Sequence, residues 1–124
     1  MQLQESGEMY LESIYVLSQK GSRVRAIDVG EHMGYSKPSV SRALGILRQN
    51  GLLLTDKDGF LTLTEQGERI ARQTYERHTV LTELFVRLGV SPEVAAADAC
   101  KIEHDISEET FLAIQRHAAE FGQK

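Results

Sequence analysis

Three side chains of types that bind metal ions lie close together near the C-terminal end of the chain. Cys100, Glu103 and His104 occur in the segment DACKIEHDIS, at positions i, i+3 and i+4. If residues 91–105 form a helix, this spacing places all three on one face. Thiolate sulfur, carboxylate oxygen and imidazole nitrogen are all metal donors. The pattern predicts a metal site, but its spacing is not that of a closed structural zinc site.

Each of these residues also has an ordinary interpretation. A single cysteine is usually a small buried hydrophobe, a single glutamate on a helix is usually solvated, and a single histidine is usually a hydrogen-bonded polar residue. Cys100 could also sense oxidants in a redox-responsive regulator. Thiol catalysis is disfavoured, because the sequence has no glycine-rich phosphate loop and no convincing oxyanion device. Metal binding and redox sensing therefore remain as alternatives.

Further candidate donors lie far away in the sequence. His78 lies midway along a long helical pattern, and Met9 and Glu12 lie at i and i+3 of the first predicted helix, off its apolar stripe. Taken singly, Met9 reads as a core residue and Glu12 as a surface carboxylate. A metal site that uses them requires the fold to bring them to the DACKIEHDIS segment.

Composition and charge limit the class of protein. The chain has 124 residues, of which 41% are hydrophobic, and one cysteine, which cannot form an internal disulfide. No apolar run approaches the roughly 18 residues of a membrane span, and the N-terminus lacks a signal-peptide pattern. These features predict a cytoplasmic protein with no membrane partner. The net charge is −4, but residues 20–50 carry six basic against two acidic residues, a local charge of +4 that suggests a polyanion-binding face.

The periodicity of the chain predicts a mainly α protein with one β-hairpin. Glycines after several of the apolar periodic segments mark their ends, and Asp56-Lys57-Asp58-Gly59 is a hairpin turn. The predicted helices are Glu8–Ser18, Ala26–Met33, Ser36–Asn50, Glu65–Leu88, Ser91–Asp105 and Ser107–Phe121, and the predicted strands are Leu52–Thr55 and Phe60–Thr64.

Three helices followed by a hairpin is the order of a winged helix-turn-helix. The third helix would then lie in the DNA major groove, with its hydroxyl and basic side chains near phosphates and base edges. The hairpin tip would reach the backbone in a neighbouring groove. The predicted DNA-binding residues are Ser36, Lys37, Pro38, Ser39, Ser41, Arg42 and Lys57.

Several motifs together resemble a known family. They are GEMYLESIYVL at the N-terminus, YSKPSVSRALGIL in the third helix, GFLTLTEQGERIA after the hairpin, the pair Arg77-His78, and LGVSPEVAAADACKIEHDIS. This combination is similar to the metal-dependent repressors of the diphtheria toxin repressor and manganese transport regulator family. The resemblance covers nearly the whole chain, and its length is that of the short members.

The resemblance implies an organisation and a function. It implies a winged-helix DNA-binding domain over residues 1–64, a linker helix over 65–88, and a helical metal-binding and dimerisation domain over 89–124. The implied protein is a homodimer that binds a palindromic double-stranded DNA operator when metal is plentiful. It would repress genes of metal uptake and would have no small-molecule substrate.

The resemblance also implies which side chains bind the metal. Residue by residue, the family positions carry over to Met9, Glu12, His78, Cys100, Glu103 and His104. Met9 and Cys100 match the iron-type members, whereas Glu12 matches the manganese type. The family has a glutamate one turn after the histidine, where this chain has Thr82, with Glu83 one place late, so the pattern of a second metal site is broken.

The donor set indicates which metal is preferred. Manganese(II) prefers an oxygen-rich octahedron, and a thioether and a thiolate make the site softer. We therefore expect iron(II) to be favoured over manganese(II), with cobalt, nickel or zinc as substitutes in vitro.

Overall fold

The computed structural model describes residues 5–21 and 23–121 and divides the chain into two compact units, residues 1–73 and 74–124. It contains six helices and a three-stranded sheet in the described ranges. The elements are α1 (Glu5–Gln19), β1 (Val24–Arg25), α2 (Ala26–Met33), α3 (Lys37–Gln49), β2 (Leu53–Thr55), β3 (Phe60–Leu63), α4 (Glu65–Arg87), α5 (Pro92–Ile102) and α6 (Glu108–Phe121).

The first unit is a winged helix-turn-helix. Its sheet has the order β1-β3-β2, and both pairings are antiparallel, with Val24 opposite Leu61 and Leu54 opposite Thr62. The predicted hairpin is thus confirmed, but β1 was missed, because a two-residue strand has no periodicity of its own and exists only through its pairing with β3. The first three helices and this sheet share one apolar core, formed by Tyr10, Leu11, Ile14, Val24, Val29, Val40, Leu44, Leu47, Leu52, Leu53, Leu61 and Ala71.

Local sequence explains where α2 and α3 begin and end. The carboxylate of Asp28 accepts a hydrogen bond from the Arg25 backbone N–H at 2.9 Å, which satisfies a donor at the start of α2. Gly34, with φ of 72°, then ends α2 in the left-handed conformation that glycine adopts without strain. The hydroxyl of Ser36 caps α3 by accepting from the Ser39 N–H at 3.3 Å, and Pro38 occupies the first turn.

The start of α4 is packed unusually closely against Leu52, the residue just before β2. A methyl group built at Gly67 would lie 2.0 Å from the carbonyl oxygen of Leu52, which is an overlap with the backbone. Thr64 caps the helix, since its hydroxyl accepts from the Gly67 N–H at 3.1 Å and donates to the Gly51 carbonyl at 2.8 Å. Only glycine fits this contact, so Gly67 fixes where α4 leaves the wing, which is the hairpin of β2 and β3.

The second unit contains the end of α4 together with α5 and α6. Leu81, Ala95, Ala99 and Phe111 are its buried apolar residues, and Glu103 is buried with them at 1% exposure. Helix α5 ends at Ile102, three residues before the predicted end at Asp105, so the prediction that places Glu103 and His104 within the helix is wrong in this detail. Glu103 is the C-terminal cap, and the next residues form a turn. None of the described helices has the length and apolar character needed to cross a membrane.

Candidate metal centre and DNA-binding face

The predicted metal-binding residues belong to both units. Met9 and Glu12 lie on α1 in the first unit, one turn apart, and both are half-buried beside the core residues Tyr10 and Leu11. The other predicted ligands, His78, Cys100, Glu103 and His104, belong to the second unit. They occupy the second half of α4 and the C-terminal end of α5 with the turn after it.

Glu103 and His78 form the central contact of the second-unit site. Nδ1 of His78 lies 2.9 Å from Oε2 of Glu103, although 25 positions separate the two residues in sequence. The Glu103 side chain is fully buried, whereas 29% of the His78 side chain is exposed. A buried carboxylate is costly unless it is paired or binds a cation, so this contact marks a place built for a charged partner.

The second oxygen of Glu103 is also buried. Oε1 lies 3.3 Å from Nε2 of His104, whose side chain is 2% exposed, and it accepts no hydrogen bond within the described part of the chain. The carboxylate therefore lies between two imidazoles and keeps unused acceptor capacity. A buried carboxylate oxygen of this kind, beside two histidines, fits a divalent transition metal ion.

Cys100 lies in the last turn of α5 and is half-buried. It comes one helical turn before Glu103, so the i, i+3 relation noted in the sequence is retained even though the helix ends at Ile102. The thiol belongs to the same segment as the two buried donors, Glu103 and His104.

The position one turn after His78 is polar but carries no carboxylate. Thr82 is half-buried and its Oγ1 atom is fully buried, without a hydrogen bond from any described residue. The side chain of Glu83 is 56% exposed and lies 3.9 Å from Arg87 in an ion pair along the helix surface. Glu83 thus belongs to the solvent-facing side of α4.

The predicted DNA-binding side chains of the helix-turn-helix are all on the surface. Ser36, Lys37, Pro38, Ser39, Ser41 and Arg42 are exposed over the cap and first two turns of α3. Ser36 is committed to capping, and its hydroxyl also donates to Oγ of Ser39 at 2.9 Å. Helix N-termini attract phosphates through their free N–H groups and dipole, so this end of α3 suits the DNA backbone.

The wing presents further positive charge. Lys57 is exposed on the turn between β2 and β3. Arg23 pairs with Asp56 of the same turn at 3.3 Å, and the guanidinium carbons of Arg23 and Arg25 lie 4.0 and 4.3 Å from the centre of the Phe60 ring. Sequence reasoning counted the two arginines only as charge. Their place on the wing depends on β1, which pairs Arg25 with Phe60.

Asp56 organises the tip of the wing. Its Oδ1 accepts hydrogen bonds from the N–H groups of Phe60 and Asp58, each at 2.9 Å. These bonds, the first of them above all, together with the charge of Arg23, hold the pKa of Asp56 below its ordinary value. The turn that carries Lys57 is therefore ordered by an ionised carboxylate.

A cleft of about 610 Å³ separates α2 and α3 from the wing. Its floor is apolar and includes Val40, Leu44 and Leu61, while Lys37 and Arg48 lie at its edge. The guanidinium of Arg48 crosses from α3 to β2, donating to Oγ1 of Thr55 at 3.0 Å. This bond connects α3 to β2 across the cleft.

Two family models together match almost the whole chain. Residues 2–61 match the model described as iron dependent repressor, N-terminal DNA binding domain, and residues 64–122 match iron dependent repressor, metal binding and dimerisation domain. The transcriptional regulator MntR of Escherichia coli is 35% identical over 115 residues, which cover 93% of this chain and 74% of the relative. The iron-dependent repressor IdeR of Mycobacterium tuberculosis is 33% identical over 109 residues, covering 87% of this chain and 47% of the relative.

Solved structures of manganese regulators have the same fold. The manganese regulator SloR superposes with a TM-score of 0.81 at 26% identity, covering 91% of this chain and 53% of that one. A manganese-dependent transcriptional repressor in complex with manganese gives a TM-score of 0.82 at 26% identity, covering 95% and 53%. The chain spans about half the length of these solved regulators and of IdeR. Its sequence and fold place it in the family of metal-dependent transcriptional repressors that includes the diphtheria toxin repressor, IdeR and MntR.

Proposed function

We propose that the protein is a homodimeric repressor that binds a palindromic operator when iron(II), or less readily manganese(II), is bound. It would act in the cytoplasm, and its targets would be the genes of metal uptake. The observation that carries the proposal is the buried Glu103 carboxylate, which lies 2.9 Å from His78 Nδ1 and 3.3 Å from His104 Nε2. Such a site suits a metal-responsive protein, because a bound cation would offset the cost of burying the carboxylate.

The proposed ligands are Met9, Glu12, His78, Cys100, Glu103 and His104. When bound, a divalent ion would supply positive charge that offsets the charge of the carboxylate ligands around it. Glu12, Glu103 and the Cys100 thiolate would contribute the negative charges of the set. The sulfur donors Met9 and Cys100 favour iron(II) over manganese(II). Ligands from α1 and from the second unit would then be held by one ion. Metal binding would thereby order the DNA-binding unit.

The proposed DNA contacts are made by α3 and the wing. Ser39 and Ser41 would bond phosphates or base edges, and Ser36 would do so by turning its hydroxyl hydrogen from Oγ of Ser39 to the DNA. Lys37 and Arg42 would neutralise phosphates, Pro38 would pack against the DNA backbone, and Lys57 would reach the neighbouring groove. All seven positions are exposed, which such contacts require. Two copies of the chain would present two α3 helices to half-sites about 34 Å apart.

We also propose that the helical second unit forms the dimer. Leu88 is 71% exposed and Leu112 is 40% exposed, while Leu84, Phe85 and Ile114 are half-buried. These side chains would gain burial against a second copy, and each fully buried leucine or phenylalanine contributes about 1.5–3 kcal/mol. We further propose that the protein is a binding regulator and not an enzyme, as its relatives are repressors.

An anaerobic operator gel shift tests the proposal. The protein is titrated with iron(II) and, separately, with manganese(II), each at fixed operator concentration and against a chelator-treated sample. We expect retardation only with metal, at a lower concentration of iron(II) than of manganese(II). Tight operator binding in excess chelator would contradict metal activation.

A Cys100→Ser variant separates metal sensing from redox sensing. If Cys100 is a ligand, the variant loses metal-dependent operator binding. If Cys100 is a redox switch, the variant is locked in one state, and peroxide no longer changes its operator binding.

A further inference from the structure

Arg77 contacts residues of the second unit that lie 26 or more positions later in the sequence. Its Nη1 donates to the carbonyl oxygens of Glu103 at 3.1 Å and Ile106 at 3.0 Å. Its Nη2 donates to Oε1 of Glu108 at 3.0 Å, and its guanidinium carbon lies 5.2 Å from the centre of the Phe111 ring. Only 19% of the side chain is exposed. One side chain of α4 therefore joins the turn after α5 to the start of α6.

The position of the Arg77 guanidinium favours its hydrogen bonds to these acceptors. The carbonyls of Glu103 and Ile106 follow the end of α5, where backbone acceptors lack helical partners and the helix dipole is negative. Arginine presents several donors in a rigid planar fork, so it can serve two carbonyls and a carboxylate at once. A lysine ammonium in the same place has one nitrogen and would satisfy fewer of these acceptors.

Two adjacent residues of α4 hold Glu103, a proposed metal ligand, at two different points. Arg77 binds its backbone carbonyl, and His78 contacts its carboxylate. The contact with His78 uses atoms that would bind the ion, so it cannot hold Glu103 independently of the metal. The bond from Arg77 uses neither the carboxylate nor the imidazole and is compatible with both states.

We propose that Arg77 is a positioning residue for the metal site, which anchors the main chain of Glu103 so that its carboxylate keeps its place with or without the ion. This inference rests on the proposed function, in that Glu103 must bind the metal. The same guanidinium binds Glu108 and contacts Phe111, so α6 is anchored to the turn that carries the ligand. A partner that orients a ligand typically contributes 10- to 100-fold to metal affinity.

The test measures metal affinity in the full-length chain by competition with a fluorescent chelator, with manganese(II) and, anaerobically, iron(II). We expect Arg77→Gln to weaken binding by about 10- to 100-fold and Arg77→Lys to weaken it less. Glu108→Gln removes only the exposed arm of the contact and should change affinity by about twofold or less. Arg87→Gln is the matched control, since Arg87 lies on the same helix and pairs with Glu83 rather than with the site.

Two further measurements separate positioning from simple loss of stability. Ala95→Gly weakens α5 at a buried position away from Glu103. It should lower the melting temperature but change metal affinity by no more than about twofold, the same limit as for the exposed Glu108→Gln substitution. In metal-free protein, hydrogen exchange should accelerate in Arg77→Gln at the amides of Glu103 and Ile106. The first unit should exchange as in the wild type.

The outcomes distinguish the inference from the function on which it rests. Wild-type affinity in Arg77→Gln, from a chain that does bind the ion, overturns the positioning role and leaves the proposed function intact. Equal loss in Ala95→Gly assigns the effect to stability and also overturns it. Failure of the wild type to bind either ion overturns the proposed function, and the positioning role with it.

Discussion

Replacing Glu103 by glutamine changes the charge of the site and almost nothing of its shape. The amide can still bond His78 through one of its two heteroatoms at the 2.9 Å position. A hydrogen bond to a charged group contributes about 1.5–3 kcal/mol and one between neutral groups about 0.5–1.5 kcal/mol, so roughly 1 kcal/mol is lost. The cost of burying a fully covered carboxylate disappears at the same time. We therefore expect the metal-free variant to fold with a stability within about 1 kcal/mol of the wild type.

The effect on metal binding should be much larger. Loss of a residue that only orients a ligand weakens binding 10- to 100-fold, so loss of the charged ligand itself should cost at least about 100-fold, or 2.7 kcal/mol. At a free metal concentration 100 times the wild-type dissociation constant, the wild type gains about 2.7 kcal/mol of stability. A variant with 100-fold weaker binding gains only about 0.4 kcal/mol at that concentration.

Thermal unfolding with and without manganese(II) or iron(II) measures this difference directly. Wild-type protein should show a clear rise in melting temperature on adding metal, and Glu103→Gln almost none. Glu109→Gln is the control, because Glu109 is an exposed carboxylate on α6 of the same unit. An equal rise in the Glu103 variant and the wild type would remove Glu103 from the ligand set and refute the reasoning.

Three other predictions concern the DNA-binding unit. Gly67→Ala should lower the free energy of unfolding by at least about 1–3 kcal/mol, because the added methyl group would overlap the backbone. Gly45→Ala, in an open position of α3, should raise it by up to about 1 kcal/mol. Urea unfolding measures both variants, and a neutral Gly67→Ala would contradict the packing argument. Because the folded-state pKa of Asp56 is lowered, its contribution to wing stability is present above about pH 4 and is lost as the pH falls through the folded value. An NMR titration of the wing amides should show that loss with a midpoint below the ordinary value, and should show none in Asp56→Asn. Arg42→Ala should weaken operator binding and reduce the slope of log operator affinity against log salt concentration by about 1, with metal affinity unchanged. Normal operator affinity in this variant would remove Arg42 from the DNA contacts.

Local chemistry explains why most helices could be predicted from sequence. The bounds of α2 agree at both ends, because Asp28 and Gly34 satisfy the helix termini using residues a few positions away. The Ser36 cap and the early proline do the same for α3. Signals of this kind are contained within a turn or two of chain, so they can be read without a fold.

The end of α5 could not be read in the same way. Apolar and polar residues continue past Ile102 with no glycine or proline to stop the helix. What ends it is a turn whose carbonyls bond to Arg77, more than 20 positions earlier in the chain. Helical spacing therefore identified Cys100, Glu103 and His104 as a group but gave the wrong setting for the last two.

By itself the sequence determined the order of elements, the basic segment, the exposed residues of α3 and the donor types of the candidate metal site. These follow from periodicity, capping and side-chain chemistry, all of which act over short stretches of chain. Tertiary structure alone decided that β1 exists, that His78 contacts Glu103, and that Arg77 holds the turn after α5. Each of those depends on residues separated by 25 or more positions, and burial from water makes such contacts specific only once the chain has folded.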